Sequence, residues 1–220
     1  QWRIEGMLPN GGRMLFTAQR KTGKTTAVGN IGRSLIDGTP FLGTYHTTPI
    51  DGRIAVLNYE VTGATFARWM DDVGIPGDRM YVENLRGCAN PLSTEQGREE
   101  LVARLVDQGA EILVVDPFGR AYHGKDQNDA AQITPWLVTL DQVAEMAGCS
   151  ELILTAHAGW NGERTRGSSA LEDWPDVIVT MTKDEHGQRY IRAEGRDVDI
   201  DEGEIAYNDQ TRTYHATGYG

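Results

Sequence analysis

Ala18-Gln19-Arg20-Lys21-Thr22-Gly23-Lys24-Thr25-Thr26 follows the apolar run Met14-Leu15-Phe16 and leads into a helix-compatible stretch, Thr25 to Ile36. This matches the phosphate-loop pattern G-x-x-x-x-G-K-[ST], with Ala18 at the first glycine. A loop that ends at a helix N-terminus turns several backbone N–H groups toward one point, where the helix dipole favours an anion. Gly23 lets the backbone approach a phosphate with no Cβ in the way. Lys24 is expected to reach the β- and γ-phosphates of a nucleotide, and the Thr25 hydroxyl to hold Mg²⁺. Residues 18–26 together form the expected ATP-binding segment.

The rest of the chain fits a single domain over residues 1–220, long enough for one substantial core. With 39% hydrophobic and 24% charged residues the composition is that of an ordinary globular protein. No apolar run approaches membrane-spanning length, and the N-terminus lacks a signal-peptide pattern. The chain starts at Gln1, as expected of a domain excised from a longer protein. Cys88 and Cys149 are isolated from each other and from any Cys/His cluster, which points to reduced thiols in a cytoplasmic protein without structural zinc. The formal charge of -11 argues against a surface that coats nucleic acid generally, and leaves room for a narrow basic channel or loop.

Along the chain, Arg13–Thr17 reads as a strand and Lys24–Ile36 as a helix stopped by Asp37-Gly38. Arg53–Tyr59 reads as a second strand, and Thr62 as the cap of a helix to Val73. Met80–Val82 is a short third strand. Ser93–Gln108 is an amphipathic helix with a Ser93/Gln96 capping box and the apolar stripe Leu101, Val102, Leu105, Val106. Ile112–Val115 and Leu152–Ala156 read as buried strands. Between them lie a polar loop, Phe118–Asn128, and a helix, Asp129–Ala147, that Pro135 should bend or restart. A loop, Ala158–Ser169, comes next, and then strands at Val177–Thr182, Arg189–Ala193 and Glu204–Tyr207. The order predicts an α/β fold: a mostly parallel sheet flanked by helices and finished by antiparallel strands. Ligands of such sheets bind at the C-terminal ends of the strands.

The polar residues at those ends carry the expected chemistry. Asp116, at the tip of Ile112–Val115, is the expected Mg²⁺ ligand opposite Thr25. Glu60 is the expected base or water-orienting group, with Asp126 or Asp129 as rivals. His157 is placed to sense the γ-phosphate. The locally basic loop with Trp160, Arg164, Arg166 and Ser168 suits a single-stranded phosphate backbone, with base stacking on the indole. Arg192 or Arg196 is the candidate for a cation supplied to a neighbouring subunit's phosphoryl group, with Lys183 a weaker rival.

Taken together, residues 18–26, Glu60, Ile112–Asp116, and His157 followed by Arg164-Thr165-Arg166-Gly167-Ser168-Ser169-Ala170-Leu171 resemble the RecA-like P-loop ATPases. The subgroup they are most similar to is the RepA-type replicative helicases, related to DnaB. The landmarks span residues 5–208. The resemblance implies a RecA-like core, a six-membered ring, ATP with Mg²⁺ between subunits, and single-stranded DNA in a central pore. It makes Glu60 the catalytic glutamate, His157 the sensor, and Arg192 or Arg196 the finger in trans. It also makes Phe118–Asn128 and Gly159–Ser169 the pore loops. Ala18 and the acidic charge depart from the usual pattern.

Overall fold

The computed structural model describes residues 1–158 and 169–218. In chain order the elements are β1 (Trp2–Ile4), β2 (Leu8–Pro9), β3 (Arg13–Ala18), α1 (Lys24–Asp37), β4 (Arg53–Asn58), α2 (Gly63–Val73), β5 (Met80–Asn84), α3 (Glu95–Asp107), β6 (Ala110–Asp116), α4 (Phe118–Ala121), α5 (Ala130–Met146), β7 (Glu151–His157), α6 (Ser169–Asp173), β8 (Val177–Lys183), β9 (Arg189–Gly195), β10 (Val198–Asn208) and β11 (Thr213–Ala216). Among the described residues nine strands form one sheet in the order β11-β10-β9-β8-β3-β7-β6-β4-β5. From β5 to β8 neighbouring strands run parallel, and from β8 to β11 they run antiparallel. The expected α/β architecture is therefore present.

Alternation explains the two cores. Successive side chains on a strand point to opposite faces. Ile54, Val56, Ile112, Val114, Met14 and Phe16 turn to one face, where α1 and α2 pack. Ala55, Leu57, Leu113, Val115, Leu15 and Leu154 turn to the other, under α3 and α5. Burial on both faces is why these strands read as unbroken apolar runs. At Gly29 of α1 a Cβ would stand 2.9 Å from Met70 Cε, so the missing side chain lets α2 pack close.

Several local expectations are corrected. The α3 cap is Thr94, whose hydroxyl accepts from Gly97 N at 3.0 Å. Ser93 instead donates to Asn90 O, and Gln96 pairs with Glu100, so the Ser93/Gln96 box does not form. Val106 is 54% exposed, because only Leu101 and Leu105 of that stripe face the sheet fully. Pro135 sits inside an uninterrupted α5. The segment after Asp116 is not a plain polar loop: α4 buries Phe118, which with Tyr122 and Trp136 forms an aromatic cluster with centroids 5.3–5.7 Å apart. The acidic stretch 197–204 lies largely in β10, a longer strand than its charges allowed, and β1, β2 and β11 were not anticipated.

Candidate active site

Parity along the strands assembles the site. Asp116 shares the α1 face of β6 with Ile112 and Val114, and Thr155 and His157 share that face of β7 with Ile153. Asp116 is completely buried and holds three donors: Lys24 Nζ at 2.5 Å, Thr25 Oγ1 at 3.0 Å and Thr155 Oγ1 at 2.6 Å. Glu60 Oε2 lies 3.7 Å from Lys24 Nζ and 3.8 Å from His157 Nε2. The buried side chain of Asn58 aims that glutamate, its Oδ1 accepting from both Glu60 N and Val61 N at 3.2 Å. Burial, and next the Lys24 charge, lower the His157 pKa; the Glu60 and Asp116 carboxylates oppose this and do not overcome it. The net effect favours the neutral imidazole.

The residues fit a magnesium–triphosphate. Glu60 Oε2, His157 Nδ1 and Thr22 Oγ1 are buried with no hydrogen-bond partner, and all three belong to the mouth or loop of the site. Gly23 has φ +98, and a Cβ there would collide with the Tyr214 hydroxyl, so this cradle requires glycine. Mg²⁺ takes few protein ligands and completes its shell with water and phosphate oxygens, which one threonine and one aspartate suit. A cavity of about 360 Å³ runs from Glu60 and His157 past Lys24 and Thr25 to Trp69, Arg189, Tyr207, Arg212 and Tyr214.

That second end was not anticipated from the sequence. Arg189 Nε donates to Thr22 O at 2.8 Å while its guanidinium lies 5.1 Å over Tyr207 and 5.7 Å over Tyr214. Tyr214 Oη donates to Gly23 O at 3.3 Å, and Lys183 Nζ to Lys21 O at 3.1 Å. Three side chains from β8, β9 and β11 thus brace the phosphate loop. The aromatic pair Tyr207 and Tyr214, on either side of residues 208–213, is a signal of sorts, but its spacing carries no tie to residues 18–26.

The remaining candidates fall elsewhere. Gln19 lines the cavity, and Arg20 and Lys21 are exposed on the loop. Lys183, the weaker rival for a cation in trans, serves its own loop. Asp126 and Asp129 are not rivals to Glu60: Asp126 accepts from Asn128 N, and Asp129 caps α5 at Ala131 N. Arg192 lies on the β9 face opposite Ile191 and Ala193, and Arg196 sits in the β9–β10 turn near Asp176 and Glu194; neither lines the nucleotide cavity of its own chain. Trp160, Arg164, Arg166 and Ser168 lie outside the described residues.

The family model of AAA_25, an AAA domain, matches residues 1–163. The chain belongs to this family. The AAA-domain chain is a P-loop ATPase, a class that binds ATP with Mg²⁺. Its fold is RecA-like: it superposes on a KaiC-like protein of the hyperthermophilic archaeon Pyrococcus horikoshii with a TM-score of 0.68 at 16% identity, over 98% of this chain and 94% of that one. No curated protein matches the AAA-domain chain. None of its described helices is long and apolar enough to cross a membrane.

Proposed function

We propose that this AAA-domain chain is an ATP-hydrolysing motor that assembles as a ring, six-fold in the manner of the RepA-type helicases, and moves on single-stranded DNA. The observation that carries the hydrolytic part is the convergence of Lys24, Thr25, Asp116, Glu60 and His157 at one end of the sheet. Lys24 and the loop N–H groups bind and orient the phosphates. Thr25 and Asp116 would hold Mg²⁺, which would neutralise phosphate charge when bound. Glu60 takes a proton from the attacking water as its oxygen bonds to the γ-phosphorus, and the bond to the bridging oxygen breaks to release ADP. Neutral His157 contacts the γ-phosphate and transmits its loss to the segment that follows. An arginine of a neighbouring subunit, Arg192 or Arg196, completes the charge.

The DNA part rests on the basic segment after His157, with Trp160, Arg164, Arg166 and Ser168 as the contacts. The burial of Phe118 and Tyr122 argues for that segment rather than Phe118–Asn128 as the main contact. ATPase rates measured with and without single-stranded DNA test this reading. Stimulation by DNA, lost in Arg164→Ala/Arg166→Ala with ATP binding intact, is the expected result. A second reading is a nucleotide-gated assembly ATPase that does not translocate. The exposed Asp199, Asp201, Glu202 and Glu204 favour it, because they repel a phosphate backbone. A rate indifferent to DNA, with ATP-dependent assembly by electron microscopy, would select it.

A further inference from the structure

We propose that Arg212 is a nucleotide-binding residue contributed in cis, holding the phosphate nearest the nucleoside, and that Trp69 is its positioning residue. This rests on the reading of the cavity as an ATP site.

Arg212 is the last residue of the β10–β11 turn, directly before Thr213 of β11, at φ +51, a left-handed conformation uncommon for a side chain of this kind. Asn30, buried on α1, holds that end of the turn with both halves of its amide. Its Nδ2 donates to Arg212 O at 2.9 Å, and its Oδ1 accepts from Tyr214 N at 2.9 Å. The turn is thereby fastened to the helix whose N-terminus is the phosphate loop. Arg212 Nη2 donates to Thr26 Oγ1 at 3.0 Å, and the guanidinium lies 4.4 Å over the Trp69 ring. Its Nε is buried without a hydrogen-bond partner, and the side chain lines the cavity.

Position along the cavity follows from the helix. Lys24 and Thr25 point to Asp116, whereas Thr26 is one residue on, about 100° around the axis, and meets Arg212 instead. Arg212 therefore serves the end away from Asp116, where the first phosphate joins the nucleoside. A guanidinium is permanently charged, and its planar fork matches phosphate oxygens. Stacking on Trp69 fixes that plane and removes the freedom a long side chain would otherwise lose on binding.

The experiment measures binding of fluorescent ATP and ADP analogues to the full chain and its variants. Arg212→Asn suits the left-handed backbone and removes the charge. It is expected to weaken both nucleotides equally, by about tenfold, the scale of a charge-assisted hydrogen bond. Arg212→Lys, which keeps charge and fold, should lose severalfold, and Trp69→Leu should fall between. Lys24→Ala should abolish binding of both. If Lys24→Ala loses both nucleotides while the Arg212 variants bind as the parent does, Arg212 is structural and the proposal fails alone. A loss confined to ATP also overturns it. If Lys24→Ala binds normally, the site reading itself falls.

Discussion

The Thr155 hydroxyl donates a 2.6 Å hydrogen bond to Asp116 Oδ1, and both side chains are completely buried. β7 stands between β3 and β6, so the Lys24 and Asp116 side chains meet across an intervening strand, and Thr155 fills the space between. Thr155→Val should leave the carboxylate one donor short and cost about 1–3 kcal/mol of stability. Thr155→Ser should recover most of it. Urea unfolding of the nucleotide-free proteins checks both, and a valine variant as stable as the parent refutes the role.

Glu60→Gln keeps the shape held by Asn58 and removes the base. Hydrolysis should fall by roughly 10²–10⁴ with ATP binding retained. Single-turnover phosphate release beside equilibrium binding reads the two separately. Loss of binding in step with hydrolysis would assign Glu60 to the ground state instead.

Gly23→Ala combines a left-handed φ with a collision at the Tyr214 hydroxyl. The backbone component alone costs about 1–2 kcal/mol. Nucleotide affinity should drop, and the melting temperature with it. Adding Tyr214→Phe should restore part of the stability, because it removes the clash and leaves the φ penalty. A double variant no better than Gly23→Ala would show that the hydroxyl is not the obstacle.

The lowered His157 pKa sets a sign for stability. The unfolded chain takes up this proton at about 6.5, before the folded one does. Protonation therefore favours unfolding, and stability should decline as pH falls through 6.5 toward the folded value. The groups acting on the imidazole are Lys24, Glu60, Asp116 and Arg20. In His157→Gln this component of the decline should vanish. Melting temperatures from pH 8 to 5.5 test it, and parallel curves for parent and variant would contradict it.

The chemical half of the site was legible because its residues announce themselves locally. A glycine-lysine-threonine loop sits between a strand and a helix, and Asp116 and His157 each close an apolar run of buried strand. Parity then sends them to one face. Asn58 and Thr155 were missed because nothing distinguishes a polar residue inside a strand until its partner strand is known. Arg189, Tyr207, Arg212 and Tyr214 were missed for a related reason. Antiparallel strands that fold back over the loop bring them near it through contacts 167–191 residues distant in sequence, and no local pattern encodes such contacts. The Ser93/Gln96 box failed by one position: the helix starts a residue later, and Thr94 caps it by accepting from Gly97 N.

The bracing of the loop by Lys183, Arg189 and Tyr214 bears on how small a working version of this protein can be. A fragment ending at Thr182 would carry Lys24, Thr25, Glu60, Asp116 and His157, yet the carbonyls of Lys21, Thr22 and Gly23 would lose their holdfasts. The region recognised by family likeness stops at residue 163, short of all three. Trimming to that limit would leave a motif without its frame, and the last strands are therefore as much a part of the ATPase as the signature that identifies it.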